Sequence, residues 1–433
     1  MKVRPAQSQW PLPGGPESGD PLAWVADLES VLPKVEAQVA SLMPEAGRFE
    51  RLRRQADELL LRFPKPAERP PLFGVPVAVK DVFHVEGLPT AAGSRLPPEE
   101  LGGPQADCVD SLLAAGALIL GKAACTEFAY FGAGPTRNPH HLDHTPGGSS
   151  SGSAAVVAAG LCPLALGTQT IGSICRPAAF CGVVGYKPTY DRVSRQGLLP
   201  LAPSYDHVGP LAQDVAWARR AAEVLCGDWR RDRGSDDWPV LAIPEGAYLE
   251  RAEPSSRKSL HRLGEHLAGI GYEIQTVDLF PDLEAIEARH RRVVAAEAAQ
   301  VHAPWFDRFS TLYHPKTREL VEVGRGISDR QLKEDLAGRE DLRQRIAEAM
   351  TTGGIDLWIS PAAPGPAPRG LDFTGDPIMN LPWSHSGLPT LSVPLGHGEG
   401  GLPLGLQIAA GWYGDEDLLA WGEPLEAHCH AWT

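Results

Sequence analysis

The chain has 433 residues, 43% hydrophobic and 22% charged, a balance that suits a large folded core and excludes general disorder. A formal net charge of −14 argues against a nucleic-acid partner, which needs a basic footprint. No run of about 18 apolar residues is present, so no membrane span is expected, and the charged, proline-containing N-terminus has no apolar h-region, so no signal peptide is expected.

Residues 1–20, rich in Pro, Gly and Ser, read as a flexible arm. From Leu22 to Phe63 apolar residues recur at helical spacing, with interruptions expected at Pro33 and Pro44. Phe73–Val79 reads as a buried strand with Lys80 at its end, and Ala117–Leu120 as another. Ser153–Gly160 reads as a helix, Leu164–Gly167 and Val183–Lys187 as strands, and Asp214–Leu225 as a helix capped by Asp214. Residues 227–238 are charged and expected at the surface. Beyond them come a strand (240–243), a helix (255–269), a strand (272–277) and three helical runs, the last capped by Ser328. Asp356–Ser360 reads as a returning core strand.

Seven cysteines, none in a C-x-x-C pair, read as reduced buried thiols, which places the chain in a reducing compartment, the cytoplasm. The small-residue stretch from His144 to Pro188 holds two clusters, Gly147-Gly148-Ser149-Ser150-Ser151-Gly152-Ser153 and Thr170-Ile171-Gly172-Ser173. Hydroxyls at the ends of an apolar segment need partners, and a hydroxyl in a dry site is what nucleophilic catalysis uses.

These clusters resemble the amidase signature family of serine hydrolases. Three further blocks extend the resemblance in the family's order. They are Gly74–Asp81 (GVPVAVKD), Asp206–Ala212 (DHVGPLA), and the pair Gly387–Pro394 and Gly401–Gln407. The resemblance implies an α/β fold, a large mixed β-sheet sandwiched by helices. It would form one domain over 21–433, with its core in 70–225 and 355–430 and a variable, substrate-covering layer in 226–354. It also implies a nucleophile at Ser173, a bridging Ser149 behind a cis Gly148–Ser149 peptide, and a base at Lys80. The oxyanion hole would comprise the backbone N–H groups of Thr170, Ile171, Gly172 and Ser173, with Ser150 supporting Lys80 or Ser149. No cofactor or metal is implied. The implied partner is a small amide or carbamate, and a homodimer is compatible.

The chemistry stands without the analogy. A serine hydroxyl attacks poorly until a base takes its proton. A lysine is such a base only once burial lowers its pKa from about 10.4. The chain departs from much of the family at Gln169, Ile171 and Cys175, and its arginine comes at Arg176. This TQT-x-GS-x-x-RPAA pattern resembles the malonamidase-like branch, where that arginine holds a substrate carboxylate. The other reading of Arg176 is support of its own loop.

Other motifs compete. Gly148–Gly152 also fits the G-x-S-x-G elbow, with His385 as a late base. Ser255–Lys258 fits S-x-x-K but reads as a helix cap, and Gly116–Lys122 imitates a phosphate loop but reads as a strand. His140, His141 and His144 could ligate a metal. Cys175 or Cys181 could serve a nitrilase-type hydrolase but lacks an activating setting. The chain also resembles the A component of glutamine-dependent amidotransferases, which would need a partner.

Overall fold

The computed structural model describes residues 20–230 and 238–432. The expected N-terminal arm therefore lies outside the described residues, as do residues 231–237 of the charged surface segment. Asp20 caps the first helix, α1 (Pro21–Val39), its carboxylate accepting from the Leu22 and Ala23 N–H groups at 3.0 and 3.4 Å. Contrary to expectation, α1 runs straight through Pro33. A proline costs a helix interior about 3 kcal/mol. The buried stripe Trp24, Val25, Leu28 and Leu32, packed on Leu52, Ala56 and Leu59 of α2 (Arg48–Arg62), offsets that cost at roughly 1.5–3 kcal/mol per large side chain.

The first half of the core follows as β1 (Pro76–Lys80), α3 (Asp107–Ala114), β2 (Leu118–Ala123), α4 (Ser151–Ala158), β3 (Leu164–Gln169), α5 (Cys175–Cys181), β4 (Val184–Lys187), β5 (His207–Ala212) and α6 (Val215–Leu225). Each expected strand is present, with ends moved by at most three residues. Asp214 caps α6 as expected, accepting from the Trp217 N–H at 2.8 Å.

The second half comprises β6 (Leu241–Pro244), α7 (Pro254–Ile270), β7 (Ile274–Val277), α8 (Leu283–Phe309), α9 (Pro315–Arg325), α10 (Asp329–Gly353), β8 (Leu357–Pro361), α11 (Leu381–Ser386), β9 (Thr390–His397), β10 (Pro403–Ala410) and α12 (Asp415–Trp432). Ser328 caps α10 through the Gln331 N–H at 3.2 Å. Ser255 and Ser256 are not caps. Helix α7 already starts at Pro254, so Glu253 holds the N-cap position and both serines lie in the first turn.

One mixed sheet runs β2-β1-β3-β5-β4-β9-β10-β8-β6-β7. Strand β1 pairs in parallel with β2 and β3, and β6 pairs in parallel with β8 and β7. The pairings between β3 and β8 across the middle are antiparallel. Segment 226–354 thus does more than cover the core, because β6 and β7 extend the sheet itself. Its helices α8 and α9 line one cleft together with Phe373, Gly375, Asp376 and Pro377. Gly324 lets α9 approach α8, since a Cβ there would overlap the Ala295 carbonyl. Among the described residues no helix is long and apolar enough to cross a membrane, and all seven cysteines are free and buried.

Candidate active site

Strand β1 is buried along its whole length between β2 and β3, and Lys80 ends it. The side chain is fully buried, with Nζ donating to Ser149 Oγ at 2.8 Å, Thr168 Oγ1 at 2.7 Å and the Thr168 carbonyl at 3.4 Å. Burial lowers the Lys80 pKa to about 8, against the opposing charges of Cys125 and Asp206. Burial also pushes the Cys125 thiol up to about 12, so it is neutral near pH 7 and only Asp206 opposes there. Thr168 has no counterpart in the sequence reading. A threonine in the otherwise apolar run LALGTQ was the available signal.

The peptide Gly148–Ser149 is cis. Close packing accounts for the two preceding glycines. A Cβ on Gly147 would lie 2.8 Å from Pro177 Cα, and one on Gly148 would lie 2.9 Å from Thr374 Cγ2. The Ser149 carbonyl accepts from the Thr126 N–H at 3.2 Å. Ser150 reaches neither Lys80 nor Ser149, correcting the expectation. It opens α4 one residue on and faces β3, where its Oγ donates to the Thr168 carbonyl at 3.2 Å and accepts from the Thr168 N–H at 3.3 Å.

Residues 170–173 form the turn between β3 and α5. Gln169 Oε1 accepts from the Ile174 and Cys175 N–H groups at 2.8 and 2.9 Å, holding the start of α5 without a charge. Thr170 Oγ1 donates to Asp206 Oδ1 at 2.6 Å. Asp206 Oδ2 accepts from the Leu201 and Ala202 N–H groups at 2.8 and 3.0 Å, and burial raises its pKa to about 6. Both sides of the turn are therefore anchored. Among the described residues none accepts from the N–H of Ile171, Gly172 or Ser173, although all three residues are buried. Unpaired buried donors of this kind suit a developing oxyanion.

Ser149, Thr170, Ile171, Gly172, Ser173 and Arg176 line one narrow pocket, while Lys80 and Ser150 lie outside its lining. Arg176 is 2% exposed. Its Nη1 donates to the Gly375 carbonyl at 2.7 Å, and its Nη2 to the Gly148 carbonyl at 2.6 Å and Thr374 Oγ1 at 3.3 Å. Burial lowers its pKa to about 10, with Asp376 acting the other way.

The competing motifs lie elsewhere. His385 is bonded to Tyr205 at 2.9 Å and His290 at 3.3 Å, behind the 170–173 turn. His140 and His144 bond the carbonyls of Cys181 and Ala367 at 2.9 and 2.8 Å. Among the described residues no group of three or more His, Cys, Asp and Glu could hold a metal. Burial raises the pKa of both Cys175 and Cys181, the reverse of an activated thiolate. The phosphate-loop imitation is strand β2.

A family model described as Amidase matches residues 26–419. The chain is similar to the A component of the glutamyl-tRNA(Gln) amidotransferase of Koribacter versatilis (strain Ellin345), 32% identical over 460 residues, covering 92% of this chain and 93% of that one. A crystal structure described as an amidase superposes with a TM-score of 0.84 at 34% identity, covering 95% of this chain and 97% of that one. A chain from a vestigial complex described as revealing the origins of an s-triazine catabolic enzyme superposes equally well, TM-score 0.84 at 29% identity, covering 95% and 96%. A model match over nearly the whole length, with relatives above 30% identity, shows that the chain belongs to the amidase family.

Proposed function

We propose that this amidase-family hydrolase cleaves the C–N bond of a small amide through a covalent acyl-enzyme on Ser173. The observation that carries the reading is the 2.8 Å contact between Lys80 Nζ and Ser149 Oγ at the pocket that Ser173 also lines. With a pKa of about 8, about a tenth of Lys80 is neutral at pH 7. Neutral Lys80 takes the Ser149 proton while Ser149 takes that of Ser173, whose Oγ attacks the carbonyl carbon. The negative charge that develops on the carbonyl oxygen meets the free N–H groups of Ile171, Gly172 and Ser173. Collapse breaks the C–N bond, and the relay returns its proton to the departing amine. Water then releases the acid by the same relay in the same order. Carbamates and esters pass through the same intermediate.

Arg176 acts in this reading as a brace. Its two Nη groups hold the carbonyl before Ser149 and the 374–375 loop together, which leaves Ser149 aimed at Lys80. A supporting arginine fits neutral substrates better than the dicarboxylate half-amides that the malonamidase-like pattern suggests.

A second reading is supported by the curated relatives, which are A components of glutamyl-tRNA(Gln) amidotransferases. In it the chain would act with a partner and release ammonia from glutamine. Assay of the purified chain alone separates the two. Turnover of simple amides without a partner, abolished in Ser173→Ala, is expected. A phosphonofluoridate adduct on Ser173 should appear by intact mass. An adduct on Ser149, Ser150 or Cys175 would refute the assignment, and activity only with added partner proteins would favour the second reading.

A further inference from the structure

The narrow serine pocket opens into an outer cleft of about 530 Å³, and the two share Tyr130, Phe131, Ile171 and Pro377. Three aromatic rings, Tyr130, Phe131 and Phe373, line this cleft. Apolar Val294, Leu320 and Val323 of α8 and α9 line it as well. Phe373 is 50% exposed and Val323 56% exposed, an unusual pair of large apolar groups to leave in water at a site's mouth.

The rings are held in place. Phe128 and Ala129 adopt left-handed backbone angles, φ 47° and 60°, which non-glycine residues adopt at a cost. Phe128 is anchored by stacking on Tyr313 (5.4 Å) and meeting His302 edge-on (4.5 Å). The same turn donates the Thr126 N–H to the Ser149 carbonyl, so Tyr130 and Phe131 are tied to the catalytic pocket. Phe131 meets Tyr130 edge to face at 4.8 Å and lies 5.8 Å from the Arg176 guanidinium, screening that charge from the cleft.

The charges around the cleft cancel one another. Arg251, Arg291 and Lys316 face Glu287, Glu319 and Asp376, three of each sign. Glu287 pairs with Arg291 at 2.7 Å and Arg251 at 3.4 Å, and Arg251 reaches Asp376 at 3.7 Å. The formal charge of the cleft lining therefore sums to zero.

We infer that this cleft seats a flat aromatic group, and that the preferred substrates are neutral amides carrying an aryl ring next to the scissile bond. The inference rests on the amide-hydrolase reading above and narrows it. Specificity would come from Phe373, Tyr130 and Phe131 on one side and Leu320 and Val323 on the other.

The test measures kcat/KM of the purified chain on benzamide (ring on the acyl side), acetanilide (ring on the amine side) and butyramide. At least one aromatic amide should exceed butyramide by about tenfold, aromatic contacts being worth a factor of about two to ten each. Phe373→Ala and, separately, Val323→Asp should cut that ratio about fivefold or more; both sites are half-exposed, so folding is not at stake. Equal rates on all three amides, or an unchanged ratio in both variants, overturns the inference while leaving hydrolysis intact. A thermal-shift titration of Ser173→Ala protein with benzamide and acetanilide, against butyramide, reads the cleft without turnover. A shift by either aromatic amide that is lost with Phe373→Ala supports the aryl site even if no amide is hydrolysed, in which case only the hydrolase reading fails. If neither aromatic amide gives a shift beyond that of butyramide, the aryl site is overturned.

Discussion

Lys80 Nζ sits 2.7 Å from Thr168 Oγ1, across the parallel pairing of β1 and β3, so the candidate base is gripped by a neighbouring strand as well as by Ser149. Two hydroxyls and a carbonyl surround the nitrogen, and among the described residues it forms no ion pair. Burial strips an ammonium ion there of its hydration, and no countercharge within bonding distance makes up the loss, so its pKa falls.

Thr168→Val keeps the shape and removes one acceptor. The ammonium form loses support, so the acid limb of kcat/KM should move to lower pH. The maximal rate should fall about tenfold, because base catalysis depends on the aim of Nζ at Ser149. Rate–pH profiles of both proteins check this, and an unmoved limb would remove Thr168 from the site.

In the unmodified protein kcat/KM should rise with pH to a plateau above about 8, where Lys80 is neutral. Lys80→Met should abolish turnover and raise stability near pH 7. The sign follows from linkage. The folded pKa lies below the unfolded 10.5, so the unfolded state binds more protons between about 8 and 10.5 and wild-type stability rises through that window. The advantage of Lys80→Met, at most roughly 3 kcal/mol before its lost hydrogen bonds are counted, should therefore shrink from pH 8 to 10.5. Denaturant melts at pH 7 and 10 measure it, and a growing advantage would contradict the reading.

Asp206 supports the 170–173 turn through Thr170, so both residues should act as one unit. Asp206→Asn and Thr170→Val should each lower kcat by about tenfold or more with a smaller change in KM, and the double variant should be no worse than the poorer single one. Additive losses in steady-state kinetics would separate the two residues.

Arg176→Leu removes three hydrogen bonds from a buried cation, each worth about 1.5–3 kcal/mol. Neutral and anionic amides should lose rate alike, and the melting temperature should drop by several degrees. A loss confined to anionic substrates, at unchanged melting temperature, would instead place a carboxylate on Arg176.

Much of the site was legible because its chemistry is local. The lysine closing the apolar run of β1 and the Asp214 and Ser328 caps each depend on near neighbours in the chain, whereas the glycines before Ser149 answer to Pro177 and Thr374, far along the sequence. Strands β1 to β4 follow from the same short-range preferences, whereas β5 was read only as a motif block. Pro33 was misread because packing over the whole of α1 outweighs one local penalty. The role of segment 226–354 was read only in part, since joining β6 and β7 to β8 depends on strands far away in sequence.

Among the described residues three lysines are buried, and they mark the division most clearly. Lys80, Lys122 and Lys187 each lie in a wholly buried strand. In the folded chain Lys122 pairs with Asp81 at 2.8 Å, and Lys187, with its pKa lowered to about 7, donates to the Leu388 and Pro188 carbonyls. Lys80 alone of the three meets the hydroxyl of Ser149. Residue order decides that a lysine is buried, because apolar neighbours make a core strand. Which atoms surround its nitrogen is decided by strand order and by the approach of loops distant in sequence, and that contact with Ser149 is what sets Lys80 apart as the candidate base.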